Sequence, residues 1–465
     1  MKSMIVLAAA LAAAAAGRTA GPGVSPAPAD STTGYPAAIG HILDQKCAGC
    51  HGAARSRGGL RLDSWEHLLQ GGTLGAAVIP GDPGRSLLLR LTTSLKGGPH
   101  PAERGRDSLT AAERETIAGW IRDGAQSGTG RQPFADASHL LYVCNQDEAS
   151  VSIIDMATNL VVGTVDLQAL GFSDHAKPHH IVVEPDGSAW YVSLIGDGKV
   201  LKFDRNNRLV GQASMETPGM MSLNPKSDLL YVGHSMTAVN PPQRVGVIRR
   251  SDMSIEEADV FIPRPHALVA DPGGRWVYTA SLGTNQLVTM DSAGEDVQLR
   301  NVDGPHHMFV QFAVAPAQHL LVASTEMSGK LMIWDAANPP ELKLLGEVSV
   351  GGGPYDPVIT PDGRYAWLGN KQANTVTVVD LVKRSVDTVI AGNGIAEPHG
   401  TVVSPDGKYV YVSNNNLKGE YTSPYDTGEP APRGTVVVLS TADRRIVKVI
   451  EVGRNPSGMG TRSTP

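Results

Sequence analysis

Prolines recur at a nearly constant spacing in the later two thirds of the chain, and this repeat restricts the fold more than any other sequence feature. The intervals between them are 40, 47, 44, 45 and 44 residues. Each proline lies in a turn that is followed by a β-forming run such as Trp190-Tyr191-Val192. The turn prolines are Pro185, Pro225, Pro272, Pro316, Pro361 and Pro405. This period is the length of one four-stranded propeller blade, so the repeat predicts a β-propeller.

A seventh repeat is divided between the two ends of this region. Leu140 to Asn145 supplies inner strands without a leading one, and Asn455 to Met459 resembles that missing strand. Joining both segments in one sheet closes the ring and removes the free sheet edge. Residues 139–461 shared among seven blades give about 46 residues a blade, which agrees with the repeat. We therefore predict an all-β, seven-bladed propeller over residues 137–463.

The N-terminal part carries a different motif, Cys47-Ala48-Gly49-Cys50-His51. Two cysteines at this spacing can form thioethers to the vinyl groups of haem, and the adjacent histidine then ligates the iron. A zinc or redox C-x-x-C is the alternative. A zinc site needs a second ligand pair, whereas the only other cysteine, Cys144, stands alone. The motif predicts one covalently bound haem c, held by Cys47, Cys50 and His51.

Two helices are predicted to enclose the haem motif. A short helical pattern from Ile39 to Gln45 leads into it, and Thr110-x-x-Glu113 is a capping box that begins a helix over Ala111 to Ile121. A first and a last helix with haem between them form the minimal architecture of a small cytochrome c. We predict a small all-α domain over residues 36–126 and a linker to the propeller at residues 127–136.

This domain resembles the monohaem cytochrome c modules of planctomycete-type proteins. The resemblance rests on C-A-G-C-H-G, G-G-L-R-L-D-S, P-G-D-P-x-x-S-L-L-L, L-T-x-x-E and W-I-x-x-G-A. Such modules usually place Met-Pro-Pro before the last helix, but this chain has no methionine between Met4 and Met156 and carries Gly98-Pro99-His100-Pro101 at that place. We therefore predict His100 as the sixth iron ligand. The alternatives are His67, His41 and an open site.

Residues 1–20 have the pattern of a secretory signal. Lys2 is followed by an apolar run from Met4 to Ala16 and by small residues. The run is too short to span a bilayer, and a linker is predicted at residues 21–35. We expect an exported, periplasmic protein without membrane insertion after signal cleavage. The net charge of -6 is spread along the chain and does not indicate nucleic acid as a partner.

Histidines recur at the start of the innermost strand of several blades. Five of these strands begin with a proline seven residues before the turn proline, and only the interval from Pro305 to Pro316 is longer. Equivalent positions of inner strands face one central channel, so we predict that these imidazoles converge at one mouth of the ring. Neutral imidazole binds copper, iron and zinc, which indicates a metal or metal-cofactor site. The alternative is a structural ring that caps the strands. The histidines are His179, His180, His266, His306, His307 and His399.

The repeats resemble the YVTN propeller family, most closely at Tyr411-Val412-Ser413-Asn414-Asn415-Asn416. Pro398-His399-Gly400 with Ser404-Pro405-Asp406-Gly407 also resembles a blade of nitrous oxide reductase, which implies a copper cluster held by histidines. The order of the domains resembles the dihaem nitrite reductases, which implies a d-type haem held by a histidine. Those enzymes have eight blades, however, and the copper domain of nitrous oxide reductase is absent here.

These patterns leave three functional hypotheses. The first is an exported oxidoreductase in which haem c relays electrons to a cofactor in the channel and a small molecule is converted. The resemblances to nitrous oxide reductase and the dihaem nitrite reductases imply a nitrogen oxide as that molecule. The second is a non-enzymatic electron-transfer protein with the propeller as a docking scaffold. In both, the redox partner is expected to be a small cytochrome or cupredoxin. The third is a lactonase-like hydrolase, which needs an acidic calcium site, whereas only Asp356 stands at a channel position.

Two insertions are expected to lie over the predicted histidine mouth because of their position in the blades. In a four-stranded antiparallel blade, the loop between the second and third strands lies on the face where the first strand starts. Leu417 to Arg433 and the shorter His234 to Arg244 occupy such loops. We expect them to act as lids or as the docking surface of the cytochrome domain.

Overall fold

The computed structural model describes residues 33–93, 100, 108–235, 243–425 and 431–463. None of the helices in these ranges has the length and hydropathy of a membrane span. The predicted signal at residues 1–20 and the linker at residues 21–35, except for its last three residues, lie outside the described ranges.

In its described residues, the N-terminal region contains four α-helices and one small two-stranded sheet. The helices are α1 (Ala37–Lys46), α2 (Trp65–Leu69), α3 (Leu87–Thr93) and α4 (Ala111–Arg122), and the strands are β1 (His51–Gly52) and β2 (Arg55–Ser56). The capping box at α4 forms as the sequence indicates, because the Glu113 N–H donates to Thr110 Oγ1 at 3.2 Å and the Thr110 N–H donates to Glu113 Oε2 at 2.7 Å. The prediction of an all-α domain is thus confirmed in part.

The remaining chain forms seven four-stranded antiparallel sheets, so the prediction of a seven-bladed propeller is confirmed. Strands β3 to β5 lie in blade 1, and blades 2 to 7 then follow in chain order with four strands each. The bounds are β3 (His139–Asn145), β4 (Ser150–Asp155), β5 (Leu160–Asp166), β6 (Pro178–Val183), β7 (Ala189–Leu194), β8 (Lys199–Asp204), β9 (Leu209–Ser214), β10 (Pro218–Leu223), β11 (Leu229–His234), β12 (Arg244–Arg249), β13 (Ile255–Asp259), β14 (Pro265–Ala270), β15 (Trp276–Ser281), β16 (Gln286–Asp291), β17 (Val297–Asn301), β18 (Phe309–Ala315), β19 (Leu320–Thr325), β20 (Lys330–Asp335), β21 (Lys343–Ser349), β22 (Pro354–Ile359), β23 (Tyr365–Asn370), β24 (Thr375–Asp380), β25 (Ser385–Ile390), β26 (Pro398–Val403), β27 (Tyr409–Asn414), β28 (Thr435–Ser440), β29 (Arg445–Glu451) and β30 (Pro456–Ser463).

Blade 1 is completed by the last strand of the chain. Its strand order is β30-β3-β4-β5, and Leu140 pairs with Arg462 while Val143 pairs with Met459. The ring is therefore closed by hydrogen bonds between the two ends of the propeller region, which leaves no open inner edge.

The repeated turns follow from local backbone requirements. In Pro185-Asp186-Gly187, the glycine adopts a φ of 66°, and the Asp186 carboxylate accepts the Ser188 N–H at 2.9 Å. Glycine is favoured there because it adopts positive φ without steric cost. Between blades the core is aromatic and aliphatic: Trp190 stacks on Tyr142 with a ring-centre distance of 4.7 Å.

A β-bulge follows the first residue of every inner strand. In β6, Pro178 pairs with Leu194, and the next paired residue is Ile181, opposite Val192. The same shift occurs in the other six inner strands. A bulge inserts one extra residue and redirects the neighbouring side chains. In blades 2, 4 and 7 the bulged positions carry His179, His266 and His399.

Candidate functional site

Helix α1 positions the C-x-x-C-H motif. The helical hydrogen-bond pattern continues past its last residue, because the Cys47 N–H donates to the Leu43 carbonyl at 2.9 Å and the His51 N–H donates to the Cys47 carbonyl at 3.0 Å. Cys47 is half-buried and Cys50 is buried. This winding brings both thiols and the imidazole of His51 to one short turn, which suits a group attached at three points.

The ring of His51 is oriented by the backbone. Its Nδ1 lies 3.4 Å from the Leu60 carbonyl oxygen, so a proton on Nδ1 leaves Nε2 as the electron-pair donor. Burial lowers the pKa of His51, which favours the neutral form. A neutral, oriented imidazole is the form that ligates iron.

His100 lies opposite His51. The two ring centres are 5.9 Å apart, and the rings are inclined by 59°. A metal–imidazole bond of about 2.0–2.1 Å, added to ~1.1 Å from nitrogen to ring centre, places two trans imidazoles with centres roughly 6.3 Å apart. The observed separation fits an iron between the two rings, and the assignment of His100 stays a prediction.

The two alternative sixth ligands are placed elsewhere. His67 lies in α2, where its Nδ1 is 3.0 Å from Asp63 Oδ1 and 2.9 Å from Ser64 Oγ. His41 is exposed on α1. Of the three histidines that the sequence offers as sixth ligand, only His100 forms a ring contact with His51 within the described ranges.

The propeller channel brings together three of the predicted histidines. His179, His266 and His399 are 7, 4 and 6% exposed and occupy bulged inner strands of blades 2, 4 and 7. The ring centre of His179 lies 6.0 Å from that of His266 and 5.6 Å from that of His399. Imidazoles from strands distant in sequence thus converge, as the blade repeat predicts. Across the described ranges, however, no group of three His, Cys, Asp or Glu side chains meets in a metal-binding arrangement.

Several nitrogen atoms of these rings have no hydrogen-bond partner within the described part of the chain. Both ring nitrogens of His179 and Nδ1 of His399 are in this state. His266 differs, because its Nδ1 donates to the Val310 carbonyl at 2.8 Å. Burial lowers the pKa of all three, so the imidazoles are neutral at pH 7. A buried polar atom without a partner is unfavourable, which indicates that a ligand, ion or water completes the group.

An acid, a phenol and an amine border these imidazoles. The Tyr355 ring centre lies 4.7 Å from that of His399, and Lys371 Nζ lies 4.9 Å from the Tyr355 ring centre. Asp356 is buried, and burial raises its pKa to about 7. Sequence reasoning identified Asp356 but missed Lys371, since Lys371 follows β23 and lies outside the inner-strand pattern.

His180 is the second histidine of the doubled pair in blade 2, and it contacts the neighbouring blade. It is half-buried, and its Nδ1 accepts the Met221 N–H of β10 at 3.3 Å. Burial lowers the pKa of His180 to about 3, so this ring is a neutral acceptor between blades 2 and 3.

The prediction that places His306 and His307 at the inner-strand position of blade 5 is wrong. Strand β18 begins at Phe309, so both histidines precede it. His306 is exposed, and its Nε2 lies 3.3 Å from the Leu282 carbonyl. The signal that gives the correct start was present, because Phe309, like the leading prolines, lies seven residues before Pro316.

The buried His307 has both ring nitrogens occupied. Its Nε2 donates to the Asp303 carbonyl at 3.0 Å, and its Nδ1 lies 3.0 Å from Ser328 Oγ. The corresponding channel positions of blade 5 are taken by Val310 and Gln311. The channel therefore collects fewer imidazoles than the sequence pattern suggests.

The cytochrome region packs against the propeller at blades 1 and 7. Ile79 belongs to an apolar cluster with Leu141 of blade 1 and Val436 of blade 7. Arg85 forms an ion pair at 3.1 Å with Glu148, which is 3.6 Å from Arg454. Arg454 lies two residues before β30, so this contact lies on the face where inner strands begin, the face of the histidine mouth.

A cleft of about 820 Å³ opens between the two regions on that face. Its lining is strongly charged and includes Asp82 from the cytochrome region and Lys177 and Arg433 from the propeller. The Arg90 guanidinium of α3 lies 5.9 Å from the ring centre of Tyr425 in the blade 7 insertion. This contact agrees with the prediction that the insertion forms a docking surface for the cytochrome domain. Residues 426–430 of the insertion and 236–242 of the blade 3 insertion lie outside the described ranges.

Comparisons with known families match both regions. Residues 47–98 match the model for planctomycete cytochrome C, which supports the resemblance drawn from the motifs and implies haem c. Residues 240–418 match the model for lactonases with a seven-bladed β-propeller. No curated protein matches the chain at a significant level.

Solved structures resemble the propeller. A functionally unknown protein from Desulfotomaculum acetoxidans is 12% identical, with a TM-score of 0.56 and coverage of 70% of this chain and 99% of that chain. Periplasmic gluconolactonase from Pseudomonas aeruginosa is 19% identical, with a TM-score of 0.55 and coverage of 70% and 99%. A putative 6-phosphogluconolactonase from Bacteroides fragilis is 14% identical, with a TM-score of 0.53 and coverage of 71% and 99%. At these identities, the likeness establishes the fold of the propeller.

Proposed function

We propose that this chain is an exported haem c oxidoreductase in which the N-terminal domain relays electrons to a site in the propeller channel. Cys47 and Cys50 attach the haem, and His51 and His100 ligate its iron. The observation that carries the proposal is the facing pair of imidazoles, 5.9 Å apart, beside the C-x-x-C-H turn. The match of residues 47–98 to a cytochrome family supports it.

Ligation by two histidines favours electron donation by the haem over electron acceptance. A methionine ligand raises the reduction potential of haem c, so a His/His pair gives a lower potential than His/Met. The backbone bond from His51 Nδ1 to the Leu60 carbonyl makes the proximal imidazole more basic and lowers the potential further. A low-potential haem is suited to donate electrons to an acceptor in the channel.

The channel site is proposed to hold a metal or metal cofactor, copper or a d-type haem, through His179, His266 and His399. Such a group would supply the redox chemistry on a small molecule. The unpartnered nitrogens of His179 and His399 support this, because they require a partner. The local likeness of Pro398-His399-Gly400 to nitrous oxide reductase favours copper, and the domain order of dihaem nitrite reductases favours d-type haem.

The channel residues have defined tasks in such a site. His266 keeps its proton on Nδ1, bonded to the Val310 carbonyl, and presents Nε2 to the channel. Asp356 has a pKa of about 7, so it can hold a proton or release it near neutral pH. Reduction of small oxidised molecules consumes protons, and a buried acid of this pKa can deliver them.

A non-enzymatic electron-transfer protein is the second candidate. Its specific support is that no three metal-binding side chains meet in one arrangement in the part of the chain that the structure describes. In this reading the ring of imidazoles is structural, and the propeller is a platform for a small cytochrome or cupredoxin. Export to the periplasm is proposed in both readings.

A lactone hydrolase is the third candidate, favoured by the match of residues 240–418 to the lactonase model. Hydrolysis by such a ring requires an acidic metal site or a general base. Asp356 is a buried carboxylate on the inner strand of blade 6, and its pKa of about 7 leaves it only partly ionised at pH 7 and mostly protonated at lower pH. A poorly ionised acid is a weak calcium ligand, so this candidate ranks below the others.

Metal analysis and the optical spectrum of the purified, exported protein test the proposal. One covalent haem per chain, no long-wavelength band of sulfur ligation, and a second metal or chromophore are the expected results. Haem alone, with one iron per chain, supports the electron carrier. Calcium-dependent hydrolysis of gluconolactone by a haem-free sample would overturn the redox proposal in favour of the hydrolase.

A further inference from the structure

The insertion between β27 and β28, here called the blade 7 insertion, comprises residues 417–433, of which the structure describes 417–425 and 431–433. Its described part contacts both candidate sites. At its start, Lys418 contacts Glu397, the residue two before His399: the Lys418 N–H donates to Glu397 Oε2 at 3.1 Å, and Lys418 Nζ lies 3.6 Å from Glu397 Oε1. Glu397 is 5% exposed, whereas the Lys418 side chain is 62% exposed, so a buried carboxylate next to the channel strand is paired with an ammonium group in water. The first end of the insertion is therefore bound beside a channel imidazole.

The next part of the insertion is held rigidly between these ends. Tyr421 exchanges hydrogen bonds with the side chain of Asn416, since its N–H donates to Asn416 Oδ1 and its carbonyl accepts from Asn416 Nδ2, both at 2.9 Å. The hydroxyls of Tyr421 and Tyr425 both donate to the carboxylate of Glu451, at the end of β29. Tyr421 and Tyr425 are thus bound to one carboxylate, and this stretch of chain connects Lys418 to Tyr425.

Tyr425 contacts the helix that lies beside the haem. The Arg90 guanidinium of α3 is 5.9 Å from its ring centre, and Arg90 is only 9% exposed, which strengthens such a contact. One residue later, the Leu91 carbonyl accepts the N–H of His100 at 3.2 Å. The propeller therefore touches α3 next to the residue to which the backbone of His100 is bonded.

We propose that the blade 7 insertion couples the channel mouth to the haem: Tyr425 holds Arg90 and so fixes the distal position of His100, while Glu397 holds the other end of the same segment. This inference rests on the proposed function, since it takes His100 as the sixth ligand. Tyr425 and Glu397 are positioning residues in this scheme. Perturbing either one changes how often His100 leaves the iron.

The test uses the full-length haem protein and the rate at which carbon monoxide binds the reduced haem. Carbon monoxide binds only when His100 has left, so the rate reports the distal bond. Tyr425→Leu removes the aromatic face and is expected to raise the rate about tenfold, the size expected for a desolvated cation–π contact. Tyr425→Phe keeps that face but loses the bond to Glu451, so it is expected to raise the rate by a smaller factor than Tyr425→Leu. Tyr409→Phe, in β27 and outside the insertion, is the matched control and is expected to be unchanged.

A double-mutant cycle tests the coupling to the channel mouth. Glu397→Ala is expected to raise the rate by a smaller factor than Tyr425→Leu, and to add nothing once Tyr425→Leu is present, because both act through one segment. Additive effects, or equal rates for Tyr425→Leu and the wild type, would overturn the inference. The reduction potential of each variant, expected to rise with the rate, shows that the effect is at the iron rather than in global stability.

His100→Ala separates failure of this inference from failure of the proposed function. If His100→Ala leaves both the rate and the spectrum unchanged, His100 is not the sixth ligand and the proposed ligation is wrong. If His100→Ala opens the iron while Tyr425→Leu does not, the ligation stands and the coupling is wrong. The carbon monoxide rate of both variants is measured only on samples with the wild-type content of covalent haem. Loss of folding is then not mistaken for a change in ligation or in coupling.

Discussion

The two histidine sites of this protein differ in how far the chain itself completes them. In the cytochrome region, the ring of His51 is oriented by the Leu60 carbonyl and faces His100 at a distance that fits one iron. In the channel, His179 has no hydrogen-bond partner within the described ranges on either nitrogen. The first site is preorganised for a group that the sequence motif identifies. The second is a set of neutral donors whose partner must be found by experiment, because burial without a partner is unfavourable.

Removing the thioether cysteines is expected to have the largest effect. In Cys47→Ala/Cys50→Ala, no haem can attach covalently, so haem staining of the denatured protein should be lost completely. The matched control is Cys144→Ala, which changes a buried cysteine of β3 and should leave covalent haem unchanged. Covalent haem in the double variant would show that the C-x-x-C-H turn is not the attachment site.

The channel imidazoles should give the protein a steep acid sensitivity. Their pKa values are lowered by burial in the folded state, so below pH 6.5 the unfolded chain binds protons that the folded chain does not. Each such histidine lowers the free energy of unfolding by about 1.4 kcal/mol per pH unit, or about 4 kcal/mol for three. Stability is therefore lost as the pH falls from 6.5.

Denaturant titrations between pH 6.5 and 5 measure this slope. The pH dependence of the free energy of unfolding should be weaker in the triple variant His179→Gln/His266→Gln/His399→Gln. Its slope should correspond to about three fewer protons taken up on unfolding. Gln168→Asn, at an exposed position, changes no titrating group and is the control, which should keep the wild-type slope. Equal slopes for the triple variant and the wild type would mean that the channel imidazoles titrate normally, as they would if water filled the channel. Added copper or zinc that steepens the slope would identify a metal-binding channel.

Asp356 should act in the opposite direction. Its folded pKa of about 7 lies above that of the unfolded chain, so the folded state binds the extra proton, and stability is fully present below about pH 4 and lost as the pH rises to 7. Asp356→Asn removes this loss and is expected to stabilise the protein at pH 8 by at most about 4 kcal/mol, with no gain at pH 4. If Asp356→Asn is instead less stable than the wild type at pH 8, the ionised Asp356 carboxylate is stabilised by a cation, either Lys371 or a bound ion.

The ion pair between the two regions should have the smallest effect. Glu148 is 11% exposed on its side chain and lies between Arg85 and Arg454, so Glu148→Gln is expected to lower the free energy of unfolding by about 1–2 kcal/mol. The control is Glu115→Gln, which breaks an exposed pair with Arg122 and should change stability by less than about 0.5 kcal/mol. If Glu148→Gln and Glu115→Gln change the free energy of unfolding equally, the ion pair between the two regions does not stabilise the protein.

Much of the propeller follows from local rules, which is why the sequence predicts it. The proline turns, the β-forming runs and the split seventh repeat give the blade count and the closure by β30 without knowledge of long-range contacts. The same rules failed for His306 and His307, because the Pro-His pair in blade 5 belongs to the loop before β18. There the spacing to Pro316 was a better guide than the residue type.

The channel chemistry and the contact between regions depend on positions that sequence patterns cannot bring together. Lys371 borders the channel from the loop after β23, not from an inner strand, so no periodicity marks it. Arg85 meets Glu148 across the linker, and Arg90 meets Tyr425 more than three hundred positions away. Such contacts follow from the docking of two folded units, which local propensity does not determine.

The closure of blade 1 by the last strand has a consequence for the order of assembly. The C-x-x-C-H motif is synthesised long before Pro456–Ser463, the strand without which the ring of blades has a gap. If the chain crosses the membrane N-terminus first, the haem is attached to a cytochrome unit that has as yet no finished partner to dock on. The cytochrome region would then mature first, and the eight residues of β30 would complete the propeller second.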